Sequence, residues 1–170
     1  MKSTRYLELA LIVSALVLSS ACYAATLSPA QLAVDMRSRG PTAVVQMLDR
    51  SGRFDAVLTS IASGNTAWVG LAPELSKGTD AGASAGLGIA LATALPKNPQ
   101  AVLQVLDGGP VMRADIVCGV PFVEPTRRSV SAYLRRAIPA VTRVSPAKDF
   151  AQRSACLEAL NRAKAAAAAL

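Results

Sequence analysis

The chain has 170 residues and a formal net charge of +7; 52% of its residues are hydrophobic, and only 4% are aromatic. This length suffices for one domain with a substantial core, which the composition makes aliphatic. Because the chain contains no histidine, nucleophiles activated by histidine are excluded, and we expect neither a metal site nor a cofactor.

The first 24 residues have the pattern of a cleavable signal peptide. Lys2 and Arg5 precede an apolar stretch at 7–18, and small residues follow it. Cleavage after Ala24 would leave residues 25–170 as the mature chain. A lipid anchor on Cys22 and a retained N-terminal anchor are the alternatives. We therefore expect an exported protein, periplasmic or secreted, with no stable transmembrane anchor after cleavage.

Capping residues, prolines and glycines divide the remaining chain into short predicted helices. Predicted starts lie near Ser28, Pro41, Arg53, Thr66, Asp80, Asn98, Thr126 and Ser145. The segment 81–95 is apolar nearly all round, which is typical of a central helix, and its small residues would admit a close neighbour. Pro73 is expected to kink or shorten the helix predicted for 66–75. Pro139 is expected either to kink its helix or to divide it into two short ones. Residues 111–120 fit either a helix end or an extended segment.

Two of these predicted helices have similar sequences, and we call them the repeated segments. Residues 41–49 and 99–107 agree at six of nine positions, at an offset of 58. The sequence therefore predicts an all-α fold of about seven to nine helices in a single domain, residues 25–170. The architecture is either an irregular multi-helix bundle or a short α-solenoid of HEAT-like hairpins.

The cysteines indicate a disulfide. Cys22 would leave with the signal peptide, so that Cys118 and Cys156 remain as an even pair in an oxidising compartment. Their bond would close a loop of about 38 residues and stabilise the fold by roughly 4 kcal/mol in the chain-entropy model. Two buried free thiols are the alternative.

Positive charge is concentrated in the last third of the chain. Residues 25–112 carry six basic and six acidic side chains, whereas residues 113–170 carry ten and four. In the amphipathic helix after Thr126, apolar residues share one arc, and the opposite arc holds Arg128, Arg135, Arg136 and Arg143. These four arginines are the predicted partner-binding surface, for an acidic protein or an anionic envelope component; a merely solvated helix face is the alternative. Nucleic acid is not expected, because the chain is predicted to be exported.

No catalytic motif is complete. Gly82-Ala-Ser-Ala-Gly86 fits the G-x-S-x-G pattern, but no strand is predicted before it, so close helix packing explains the match better. Ser145-Pro-Ala-Lys148 fits S-x-x-K without the motifs that accompany it in serine enzymes. Glu124, in an apolar loop, is the one carboxylate whose surroundings suit glycan hydrolysis.

These observations favour an exported, non-enzymatic helical protein that binds another macromolecule or an anionic surface through its basic C-terminal face. One alternative is a periplasmic cell-wall glycan hydrolase that uses Glu124. Another is a small-ligand carrier with a pocket between the glycine-rich helix at 81–95 and Trp68.

Overall fold

The computed structural model describes residues 27–146 and 150–168, and within these ranges the secondary structure is entirely helical. The predicted all-α bundle is thereby confirmed, whereas the predicted signal peptide lies outside the described residues. In chain order the helices are α1 (Pro29–Arg39), α2 (Pro41–Arg50), α3 (Phe54–Ala62), α4 (Thr66–Val69), α5 (Ala72–Ser76), α6 (Ala81–Ala94), α7 (Pro99–Val105), α8 (Ala114–Val117), α9 (Arg127–Thr142) and α10 (Arg153–Ala168). Three of these segments (α4, α5 and α8) are single turns of four or five residues.

Several helices begin at side-chain caps, as the sequence predicts. Backbone N–H groups three residues further on donate to Asp80 at 2.9 Å, to Asn98 at 3.1 Å and to Thr126 at 3.1 Å. Each bond satisfies one of the donors that a helix start leaves unpaired. Ser28 also precedes a helix, but its side chain makes no capping hydrogen bond, and Pro29 alone sets that start.

Helix α6 is the central element of the core. Its C-terminal half is buried, with Leu87, Leu91 and Leu95 fully covered, and it packs against α3, α5, α7 and α8. A Cβ atom at Gly86 would lie 2.9 Å from Cδ1 of Leu58 in α3. The predicted close approach through a small residue is therefore confirmed at Gly86.

The two repeated segments share a burial pattern. Three pairs of equivalent positions are buried in both: Val44 and Val102, Val45 and Leu103, Leu48 and Leu106. Their neighbours differ, because α2 packs against α1, α3 and α5, whereas α7 packs against α4, α6 and α9. The sequence similarity of the two segments therefore corresponds to the same set of buried positions on one helix face.

Helix α7 ends earlier than its sequence predicts. The backbone is already extended at Leu106, and the carboxylate of Asp107 accepts a hydrogen bond of 2.7 Å from the Gly109 N–H. A local aspartate turn of this kind competes with a further helical turn. The predicted helix through residue 107 is therefore too long by two residues.

The two helix-internal prolines have different effects. The helix predicted for 66–75 divides into α4 and α5, and Pro73 lies in the first turn of α5. In contrast, α9 continues through Pro139. Pro139 and Arg135 are both exposed, so water can reach the Arg135 carbonyl oxygen that lacks its usual intrahelical donor.

The C-terminal third is built on a pair of packed helices, α9 and α10. Leu134, Ala137 and Val141 of α9 are buried, as is Leu160 of α10. The C-cap residue of α8, Cys118, is joined to Cys156 of α10 by a disulfide with a Cα–Cα distance of 5.3 Å. The predicted disulfide is thus present, and it attaches the last helix to the body of the protein.

The ambiguous segment before α9 contains one helical turn, α8, followed by an irregular loop. Two non-glycine residues have positive φ angles there, Val120 at 62° and Glu124 at 43°.

In the part of the chain that the structure describes, none of the helices combines the length and apolar character needed to cross a lipid bilayer.

Candidate functional site

Five arginines stand exposed along α9 and its C-cap: Arg127, Arg128, Arg135, Arg136 and Arg143. We call this set the arginine ridge. The sequence has no aspartate or glutamate from 125 to 148, and no ridge arginine forms an ion pair with a described carboxylate. The ridge therefore presents positive charge that is not compensated by the described parts of the protein.

The ridge covers both flanks of α9. Successive helix residues are about 100° apart, so neighbouring arginines point in different directions. Arg127 and Arg135 border the side next to α10, whereas Arg136 and Arg143 border the opposite side. The four arginines predicted as a partner-binding surface are all exposed. Arg135 lies on the first flank and Arg136 and Arg143 on the second, whereas Arg128 lines neither groove.

The first flank is a groove between α9 and α10, with a volume of about 450 Å³. Its apolar lining comes from Leu134, Ile138, Pro139, Ala167 and Ala168, and its cationic lining comes from Arg127, Arg135 and Lys164. No carboxylate is among the described residues that line it. An amphipathic, negatively charged partner would match both properties of this groove.

The second flank borders a groove of about 610 Å³, which we call the Tyr133 groove. It is lined by Thr93, Pro96, Lys97, Phe122, Val123, Glu124, Pro125, Thr126, Ser129, Tyr133 and Arg136. Tyr133 is only 5% exposed, and its ring packs edge-to-face on Phe122 with centroids 5.0 Å apart. Its buried hydroxyl has no hydrogen-bond partner among the described residues, and burial raises the pKa of this hydroxyl.

Glu124, the candidate catalytic acid, lies at the rim of the Tyr133 groove and is exposed to solvent. No other described aspartate or glutamate lines this groove. Most glycoside hydrolases place two carboxylates on either side of the scissile bond. The described residues of this groove therefore provide one of the two carboxylates that most glycoside hydrolases use.

The two serine motifs fall differently on the structure. Ser84 lies inside α6, and its hydroxyl is hydrogen-bonded to that of Thr79 at 2.7 Å. It does not sit on the strand-to-helix turn that a G-x-S-x-G nucleophile needs, so the packing interpretation of that motif stands. In the second motif Ser145 is exposed, and Lys148 lies outside the described residues.

The groove beside the glycine-rich helix differs from the prediction. Gly82, Ala83 and Gly86 of α6 line it together with residues of α2 and α3. Trp68 lies in α4, half-buried against the hydrophobic core. Trp68 is not among the described residues that line this groove, and α4 packs mainly against α1, α3 and α7.

Sequence reasoning missed Tyr133 altogether. Its signal was present, since this one tyrosine lies on the otherwise aliphatic buried arc of α9.

Across residues 27–146 and 150–168, no three histidine, cysteine, aspartate or glutamate side chains are arranged to hold a metal ion. Comparisons with protein-family models, with curated proteins and with solved structures give no match to this chain.

Proposed function

We propose that this is an exported, non-enzymatic helical protein that binds an acidic macromolecule or an anionic envelope surface through the arginine ridge. The observation that carries the proposal is the exposure of five arginines on α9 with no described carboxylate to pair them. Like charges held together at a surface raise the local concentration of oppositely charged partners and speed their association.

The support of α9 favours a rigid recognition surface. Its buried arc packs into the core, and α10, which lies against it, is tied to α8 by the disulfide. A partner that docks on the ridge would therefore meet arginines on a fixed backbone, which lowers the entropy that binding must overcome. Export is part of the proposal because the N-terminal segment has the composition of a signal peptide.

Charge reversal on the ridge tests the proposal. The variant Arg128→Glu/Arg135→Glu leaves Arg136, and hence the Tyr133 groove, intact. Association with vesicles of anionic and of zwitterionic phospholipid, and with polyglutamate, is measured for each protein. We expect the wild type to bind at least one anionic probe, and the variant to lose about tenfold or more in affinity, which corresponds to about 1.4 kcal/mol. Binding should weaken with added salt, because the Debye length falls from about 30 Å at 0.01 M to about 8 Å at 0.15 M.

The matched control is Arg37→Glu/Arg50→Glu, which makes the same change in net charge at exposed arginines of α1 and α2. It should keep nearly all of the affinity. Equal losses in the two variants would mean that net charge alone drives association. Unchanged binding in the ridge variant would reject the ridge as the binding surface.

A further inference from the structure

Tyr133, one of the residues that line the Tyr133 groove, carries a hydrogen-bonding group that the described protein does not satisfy. The Tyr133 side chain is 5% exposed, and its hydroxyl has no partner among the described residues. Buried polar groups in folded proteins are almost always paired, so an unpaired one calls for a specific reason. A ligand that brings an acceptor into the groove would supply the missing partner.

The charge of the lining favours a ligand with a single negative charge. Arg136 lines the groove, is exposed, and its positive charge acts on the Tyr133 hydroxyl. Lys97 lines it as well, and its ammonium group is fixed by donating to the Ala62 carbonyl at 2.5 Å. Glu124 also lines the groove and carries one negative charge, so the net charge of the lining is one positive charge.

The remaining wall of the groove suits an apolar group. Phe122 is partly buried against Tyr133, whereas Val123 beside it is 80% exposed. Residues 122–125, which form this wall, make no backbone hydrogen bond to the described remainder of the chain. The wall can therefore adjust around a bound molecule, and a ligand there would cover apolar surface that now faces water.

We propose that the Tyr133 groove binds a small monocarboxylate that carries an apolar chain or ring. The carboxylate accepts hydrogen bonds from the Arg136 guanidinium and from the Tyr133 hydroxyl, which is buried in the free protein and becomes accessible when residues 122–125 move. The apolar group packs against Phe122 and Val123. The groove volume of about 610 Å³ lies within the range of about 300–1,000 Å³ usual for small-molecule sites. This site shares only Arg136 with the arginine ridge, and it uses the flank of α9 that faces away from α10.

Hexanoate serves as the probe, with hexan-1-ol and hexylamine as isosteres of different charge. The full chain, isotopically labelled, is titrated with each compound, and the NMR shifts of residues 120–136 are followed. We expect hexanoate to shift the signals of Phe122, Tyr133 and Arg136, and to bind about tenfold or more tightly than the alcohol. Equal affinities for hexanoate and hexan-1-ol, or no saturable shift with hexanoate, would overturn the proposal.

Three substitutions separate the roles of the two donors. Tyr133→Phe and Arg136→Gln should each weaken hexanoate binding several-fold, because each removes one donor to the carboxylate. Arg128→Gln is the matched control, since Arg128 is an exposed arginine of the same helix that does not line the groove, and its affinity should equal that of the wild type. Melting temperatures verify that the variants fold. A wild-type affinity in Tyr133→Phe or in Arg136→Gln contradicts the proposed carboxylate contacts.

Discussion

At the scale of single residues, Tyr133 combines near-complete burial with an unpaired hydroxyl. A buried hydroxyl without a partner lowers the free energy of unfolding by about 1–3 kcal/mol. Burial also raises the pKa of Tyr133 above its ordinary value, because ionisation would place a charge in an apolar setting. Because of these properties, the stability of the protein and the titration of the Tyr133 hydroxyl depend on how α9 packs against the loop that precedes it.

The raised pKa of Tyr133 predicts a loss of stability in alkaline solution. Above pH about 10 the unfolded chain releases the tyrosine proton and the folded chain keeps it. The unfolded state then binds fewer protons, so the free energy of unfolding falls as the pH rises. Below that pH the contribution is constant. We expect the wild type to lose stability faster than Tyr133→Phe between pH about 9.5 and about 11.5, measured by urea unfolding and circular dichroism.

The comparison with Tyr133→Phe removes the background from lysine titration, which both proteins share. Tyr6 and Tyr23 also remain in both. At neutral pH the variant should be at least as stable as the wild type, because it lacks the unpaired hydroxyl. Parallel stability curves over the alkaline range would show that Tyr133 ionises equally well in the folded state, against the burial described above.

At the scale of elements, the disulfide determines how firmly α10 is held. It joins Cys118 at the end of α8 to Cys156 in α10, and both side chains are fully buried. Helix α10 packs against α8 and α9. The groove between α9 and α10 therefore depends on a helix whose position is fixed both by packing and by one covalent bond.

Removing the disulfide should loosen α10 before the rest of the fold. For Cys118→Ala/Cys156→Ala we expect the free energy of unfolding to fall by about 4 kcal/mol, the chain-entropy value for a loop of this length. Hydrogen exchange should accelerate more in α10 than in α3, which packs on the central helix α6. Urea unfolding and exchange mass spectrometry measure the two effects.

A reducing agent provides the internal control. Dithiothreitol should lower the stability of the wild type and leave the double-alanine variant unchanged. Uniform acceleration of exchange across all helices would indicate that the disulfide stabilises the molecule as a whole without holding α10 specifically.

Sequence patterns predicted the features of the elements that depend on nearby residues. The caps at Asp80, Asn98 and Thr126 use bonds that reach only three residues along the chain, and such bonds can be inferred from residue order. The early end of α7 also has a local cause. It was missed because Asp107 serves equally well as a late helical residue and as the first residue of a turn.

Features that depend on distant packing could not be predicted from residue order. A helical wheel separates the core face of α9 from its exposed face, but it does not show which neighbours lie along each flank. Arg135 borders Lys164 of α10, whereas Arg136 lies near Lys97 from the turn after α6. The two grooves follow from these long-range placements. The environment of Tyr133 likewise depends on Phe122, which belongs to an irregular loop.

At the scale of the whole molecule, one hydrophobic core extends from Leu32 in α1 to Leu160 in α10. The hydrophobic core involves every described helix, whereas the net charge is distributed unevenly along the sequence. Residues 25–112 are balanced, and the excess of basic side chains belongs to residues 113–170. The basic third is therefore packed into the common core on one side and presents the arginine ridge on the other.

The proposed export of the chain predicts a specific covalent form. Protein recovered from the cell envelope should begin at Ala25 and should contain Cys118 and Cys156 in the oxidised state. Intact-mass measurement before and after reduction checks both features, since reduction adds two hydrogen atoms to each molecule. Recovery of the full-length chain from the cytoplasm, with Cys118 and Cys156 as free thiols, would reject export.

The position of the disulfide also orders the completion of the molecule during synthesis. Cys156 belongs to the last described helix, so its partner Cys118 leaves the ribosome first, together with all of α9 between them. The covalent link can form only after Cys156, near the start of α10, has been made and has come within reach of Cys118. An oxidised pair therefore records that the start of α10 has met the end of α8.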